Sequence, residues 1–201
     1  TLSDPDGGSY SLTWSVTHTA TNPSGAHIHS GWATLNGGVA QNLGSAASLI
    51  TGSAAVSNAF AQDLAEGRTY VNVHTTGNPT GELRGQILRP GQQLWTALLS
   101  GAEALPAPVT GVDAGSIGAV VDPGAGIATY VGSWPNTPAT DAGVYQGGPG
   151  GEGALVQALN LTPTGASGSF PIAGLGIGDG GFYVNVHTAA NPAGEIRGQL
   201  T

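Results

Sequence analysis

A duplicated phrase constrains this chain more than any other feature. Residues 70–87 read YVNVHTTGNPTGELRGQI and residues 183–200 read YVNVHTAANPAGEIRGQL, identical at 13 of 18 positions with a constant offset of 113 from His74 to His187. Self-similarity of this kind means one supersecondary design written twice, so the chain reads as two domains, residues 1–89 and 90–201. Each copy serves as a control for the other. What both keep is expected to be scaffold, and what one keeps alone is where chemistry is sought.

The runs between these phrases are short, rich in Val, Thr, Ile and Tyr, and punctuated by 35 Gly and 13 Pro, while 39% hydrophobic residues suffice for a core. That combination predicts an all-β chain with many turns. Strands are expected over Ser9–Val16, Ala26–His29, Thr69–His74 and Glu82–Leu88, with weaker candidates at Leu49–Ser53 and Ala55–Phe60. A turn is expected at Asp63–Gly67, and only Ala59–Ala65 has the pattern for a turn or two of helix. The second half repeats the order over Ile127–Trp134, Ala142–Gly147, Ala154–Leu159, Ser167–Ile172, Phe182–His187 and Glu195–Leu200. Each duplicated phrase reads as a hairpin with a wide Asn-Pro loop, Thr75–Gly81 in the first copy. The second copy has a leader over Leu94–Val121 that the first lacks. The first sheet is therefore expected to miss its opening strand or strands, which either lie upstream of Thr1 or are replaced by another segment or another molecule covering the edge.

Charge excludes some partners. The chain has no Lys, four Arg and a net charge of −8, so it cannot neutralise a run of phosphates and nucleic acid is not an expected partner. No apolar stretch approaches the roughly 18 residues of a membrane span. Cys and Met are absent, so neither disulfides nor thiolate ligands are available, and a chain that does not open on Met is expected to have lost a leader, a secretory signal being the natural candidate. Asn160-Leu161-Thr162 is a single glycosylation sequon. An acidic, weakly charged chain without Lys suits an extracellular or cell-surface setting.

YVNVHT–NP–GEIRGQL, with AHIHSG before it in the first half and LLSGAEALPAPVT before the second copy, resembles the CHRD domain. The resemblance covers nearly the whole chain as two tandem copies. It implies two antiparallel β-sandwich or barrel-like domains, the first lacking its opening strands, outside the cytoplasm, in a family linked to metal binding.

Five histidines carry the candidate chemistry. In His27-Ile28-His29, alternate strand residues share a face with Cα atoms about 6.5–7 Å apart, so both imidazoles can converge on one ion. His74 shares a strand face with Tyr70 and Asn72 and becomes a third ligand if its strand lies beside the first; His18 is a candidate fourth. An all-nitrogen set disfavours Ca and Mg, and copper is the expected ion ahead of zinc. The second copy places Gly143, Tyr145 and Trp134 opposite His27, His29 and His18 and keeps only His187, so it is expected to bind no metal. His74 and His187 are expected to have a structural role as well, bonded to the hairpin loop. Glu82 with Arg84, and Glu195 with Arg197, are expected to be structural ion pairs, and Trp32 to wall the metal site. Three functions fit these residues: a secreted metal-binding module without catalysis, a subunit that assembles into homo-oligomers or polymers by strand addition at the incomplete sheet, and a copper-dependent enzyme.

Overall fold

The computed structural model of the chain describes residues 1–3, 10–44, 46–176 and 181–201. The polypeptide divides into two compact units, Thr1–Pro90 and Gly91–Thr201. The first runs β1 (Leu2–Ser3), β2 (Tyr10–Val16), β3 (Pro23–Ser30), β4 (Val39–Asn42), β5 (Ile50–Val56), α1 (Asn58–Ala65), β6 (Thr69–Thr75) and β7 (Leu83–Gln86). Every pairing is antiparallel; β1-β2-β5 form one sheet and β4-β3-β6-β7 the other.

Alternation along each strand decides which residues meet. Ala26 and Ile28 of β3 and Val73 of β6 turn inward onto Leu12 and Ile50 of the facing sheet. Gly25, His27 and His29, and Tyr70, Asn72 and His74, consequently line the outer face of the four-stranded sheet. The segment expected to hold two weak strands, or a turn or two of helix at Ala59–Ala65, holds one strand, β5. Helix α1 follows over Asn58–Ala65, so the helical reading stands and the second strand does not. Ser57 caps that helix by accepting the Phe60 N–H at 3.2 Å, and α1 buries Phe60, Ala61 and Leu64. A cap and one apolar stripe were enough to override the alternating reading of Ala55–Phe60.

The second unit runs β8 (Gln93–Leu99), β9 (Gly115–Asp122), β10 (Ile127–Ser133), β11 (Ala139–Gln146), β12 (Leu155–Ala158), β13 (Leu161–Thr162), β14 (Gly165–Pro171), β15 (Phe182–Thr188) and β16 (Ile196–Gln199). Two antiparallel sheets, β13-β14-β10-β9-β8 and β12-β11-β15-β16, pack face to face, and no sheet closes into a barrel among the described residues. Ile117, Ala119, Val121 and Tyr130 from one sheet meet Val144, Val184, Val186 and Ile196 from the other. Val184, Val186 and Ile196 are fully buried, each such side chain contributing about 1.5–3 kcal/mol. The leader strand also reaches the second sheet: Ser100 and Arg197 exchange backbone bonds of 2.9 and 3.0 Å, and Thr96 and Thr201 bonds of 2.9 and 3.1 Å.

Candidate metal centre

The register of β3 on β6 sets His27 opposite Asn72, His29 opposite Tyr70 and Gly25 opposite His74. His74 thus lies diagonally from His27 over a residue without a side chain. The three imidazoles form a cluster with ring centroids 5.0 Å (His27–His74), 5.9 Å (His27–His29) and 6.2 Å (His29–His74) apart. One ligand nitrogen from each lies within 4.8 Å of the others.

Backbone carbonyls determine which nitrogens face inward. A carbonyl only accepts, so His29 donates Nδ1–H to Gly37 O at 2.9 Å and His74 donates Nδ1–H to Pro79 O at 3.0 Å. Nε2 of each ring then carries a lone pair. For His74 that lone pair accepts the His27 Nδ1–H at 3.0 Å, a bond that an ion would replace once the His27 proton sits on Nε2. For His29 it has no partner at all, although the ring is only 9% exposed and Nε2 is buried. An orphaned acceptor beside two other imidazole nitrogens is what a bound cation would satisfy. The donor set is therefore His27 Nδ1, His29 Nε2 and His74 Nε2, with the Gly37 and Pro79 carbonyls orienting two of the rings from behind. A first-row ion held about 2.0–2.1 Å from each nitrogen keeps its ligands roughly 3–4 Å apart, so nitrogens within 4.8 Å of one another would draw somewhat closer around it. Burial, with smaller contributions from His74 and His29, lowers the His27 pKa below its ordinary 6.5 and keeps the ring neutral, the form that ligates.

Supports around the cluster escaped the sequence reading. Tyr70 stacks on His29 with centroids 4.9 Å apart and planes 10° from parallel, and its hydroxyl accepts the Gly37 N–H at 3.1 Å. Arg84 lies 3.4 Å over the other side of the Tyr70 ring and donates to the Trp32 and Leu35 carbonyls at 2.6 and 2.9 Å. Arg84 is therefore not the partner of Glu82, as the sequence suggested. Glu82 accepts instead from Thr75 Oγ1 at 2.6 Å and Asn78 Nδ2 at 3.1 Å, which lowers its carboxyl pKa and closes the hairpin loop. The Trp32 carbonyl accepts from Arg84 and from the Leu35 N–H at 3.0 Å, and the ring that covers His29 is that of Tyr70.

The second unit repeats the support without the imidazoles. Arg197 lies 3.7 Å over Tyr183, Tyr183 stacks on Tyr145 at 5.3 Å, and Thr188 and Asn191 hold Glu195 at 2.6 and 3.0 Å. Tyr145 takes the register place of His29, Gly143 that of His27 and Asp141 that of Gly25. Asp141 then accepts from His187 Nδ1, so in this copy a carboxylate rather than the hairpin loop occupies that nitrogen. His18 is not brought to the triad. Its Nε2 donates to Ala46 O at 2.9 Å, and it lines a groove with Val71 and Val73, on the side of the sheet opposite the three imidazoles.

Among the described residues no helix is long and apolar enough to cross a membrane. No curated protein and no solved structure matches the chain. The family model of the CHRD domain, which occurs in extracellular proteins, matches residues 1–87 and again 95–200. With the duplicated hairpin, the shared Arg–Tyr support and two matches that together span nearly all 201 residues, this chain belongs to the CHRD domain family as two tandem copies.

Proposed function

We propose that the first unit is an extracellular metal-binding module that takes one transition-metal ion, copper ahead of zinc, on His27 Nδ1, His29 Nε2 and His74 Nε2. The observation that carries this reading is the buried, partnerless Nε2 of His29 within 4.8 Å of the other two donors. Neutral imidazoles without thiolate or nearby carboxylate suit Cu(II) and Zn(II), and copper stands above zinc in the affinity order. The retained Arg–Tyr stack supports the same conclusion: both copies keep it, so it is scaffold, while the imidazoles belong to one copy and are what that scaffold holds. His18 is not a ligand in this reading.

Purified protein incubated with Cu(II), desalted and measured by metal analysis is expected to retain about one ion per chain. His27→Ala and His29→Ala are expected to retain none, whereas His18→Ala and His187→Ala retain the full amount. Stoichiometric copper in the His29→Ala variant, or none in the parent protein, sinks the proposal.

A further inference from the structure

The hairpin histidine is the imidazole that both copies keep, yet its ring has different partners in the two. The residue facing it across the strands accounts for the difference. A bulge in β3 between Pro23 and Gly25 shifts the register so that Gly25 lies opposite His74. A bulge in β11 between Ala139 and Asp141 sets Asp141 opposite His187 in the same way. Bulges re-aim side chains, and here both copies aim the same place on the strand at the hairpin imidazole.

What stands at that place decides where the ring hydrogen goes. Over Gly25, His74 has no side-chain acceptor, so its Nδ1–H goes to the Pro79 carbonyl at 3.0 Å and its Nε2 faces His27. Over Asp141, the Nδ1–H of His187 goes to the carboxylate instead. Nε2 of that ring then accepts from the Asn185 amide at 2.9 Å, so neither nitrogen is left for an ion. The counterpart amide on Asn72 donates to the Thr80 carbonyl at 3.3 Å and leaves His74 Nε2 to the cluster. A hydrogen bond to a carboxylate is about twice as strong as one between neutral groups, so a carboxylate within reach takes the ring from a loop carbonyl.

No backbone need requires glycine at 25. Its φ lies outside the left-handed region. A Cβ there would stand 3.5 Å from His27 Cε1 and 3.9 Å from His74 Cδ2, which are ordinary van der Waals distances. A side chain is therefore tolerated, and what the metal centre needs is that it carry no acceptor. The nearest His74 atom is Cδ2, so a carboxylate on residue 25 would draw Nδ1 to that place by a half-turn of the ring. The same half-turn exchanges Nε2 with Cε1 and takes the donor nitrogen away from His27.

We propose that residue 25 is a positioning residue of the metal centre. With no acceptor there, the hairpin histidine turns Nε2 into the triad; a carboxylate there, as in the second copy, withdraws it. This rests on the three-histidine metal reading above. It also means that the second copy is closed to metal twice over, by Gly143 and Tyr145 in place of two imidazoles and by capture of the third.

Metal-free protein tests the ring directly. An imidazole N–H bonded to a carboxylate resonates far downfield of the amide protons, and NMR of the parent is expected to show one such signal, from His187. Gly25→Asp is expected to add a second, from His74, with the melting temperature unchanged, since Asp141 is already accommodated at the same place. Asp141→Gly is expected to remove the first. In calorimetric titration with Cu(II), Gly25→Ala is expected to bind as the parent does and Gly25→Asp about 10–100-fold more weakly. The direction matters, because a carboxylate beside a cation would on charge alone tighten binding. The proposal is overturned if Gly25→Asp shows no second downfield proton or binds copper as tightly as the parent. It is also overturned if Gly25→Ala loses the ion as Gly25→Asp does. A parent that holds no copper sinks the metal reading instead, and the proton signals still decide whether residue 25 turns the histidine.

Discussion

His27 is the member of the triad whose proton decides what the cluster can hold. Burial, and then His74 and His29, hold its pKa below 6.5 in the folded chain, whereas in the unfolded chain it titrates at the ordinary value. Between those two values the unfolded state binds more protons, so stability rises with pH there. The contribution is fully present above pH 6.5 and is lost as pH falls from 6.5 through the lower folded value. Urea unfolding at pH 8 and pH 5 is expected to show the first unit weaker at the acid end, with His27→Gln flattening the difference; an unchanged slope in that variant contradicts the assignment. The same protons compete with copper, so affinity falls in the same window. At this scale the cluster was readable because a period of two puts His27 and His29 on one face. The Tyr70–Arg84 stack was not readable, because it depends on the β3–β6 register and on the loop after β3 folding back over the sheet.

At the scale of the element, identical words have different physical settings. The tripeptide Arg-Gly-Gln stands in β7 and in β16, yet Gly198 lies under the Leu98 carbonyl and Gly85 under nothing. Gly198→Ala is therefore expected to destabilise the second unit by about 1–3 kcal/mol through overpacking against a backbone that cannot rotate away. Gly85→Ala is expected to be neutral or slightly stabilising, since it lowers the entropy of the unfolded chain without a clash. Denaturant midpoints of the two variants check this, and equal losses in both would show that the glycines serve a common local need instead of strand approach. The hairpins themselves were legible, since alternation and the Asn-Pro loop mark them directly. Helix α1 was legible in part: Ala59–Ala65 has the pattern for a turn or two of helix, but Ala55–Phe60 also resembles a strand until the Ser57 cap and the core beneath Phe60 and Leu64 are known.

Across the whole molecule, a duplication has yielded two units of unequal closure. The second buries Val184, Val186 and Ile196 completely beneath its leader strands, while the first leaves the matching surface as a groove and sets its imidazoles on the outer face of the same sheet. Less apolar surface removed from water means less stability per residue, so the first unit is expected to melt before the second. Thermal unfolding of the metal-free chain should then show two transitions, the lower one belonging to residues 1–90. Copper binds only the folded first unit in this account, so it raises only the lower transition, by a free energy of about 2.7 kcal/mol when free ion stands at 100 times its dissociation constant. His27→Ala abolishes that shift and leaves the upper transition where it was. Gly198→Ala does the reverse, lowering the upper transition and leaving the copper response intact. A calorimetric scan in which copper moves the upper transition, or moves both together in the His27→Ala variant, would contradict the division of labour between the copies. That division follows from physical differences already visible between the repeats: the copy with the covered core has a carboxylate beside its last histidine, and the copy with the orphaned imidazole has the open groove.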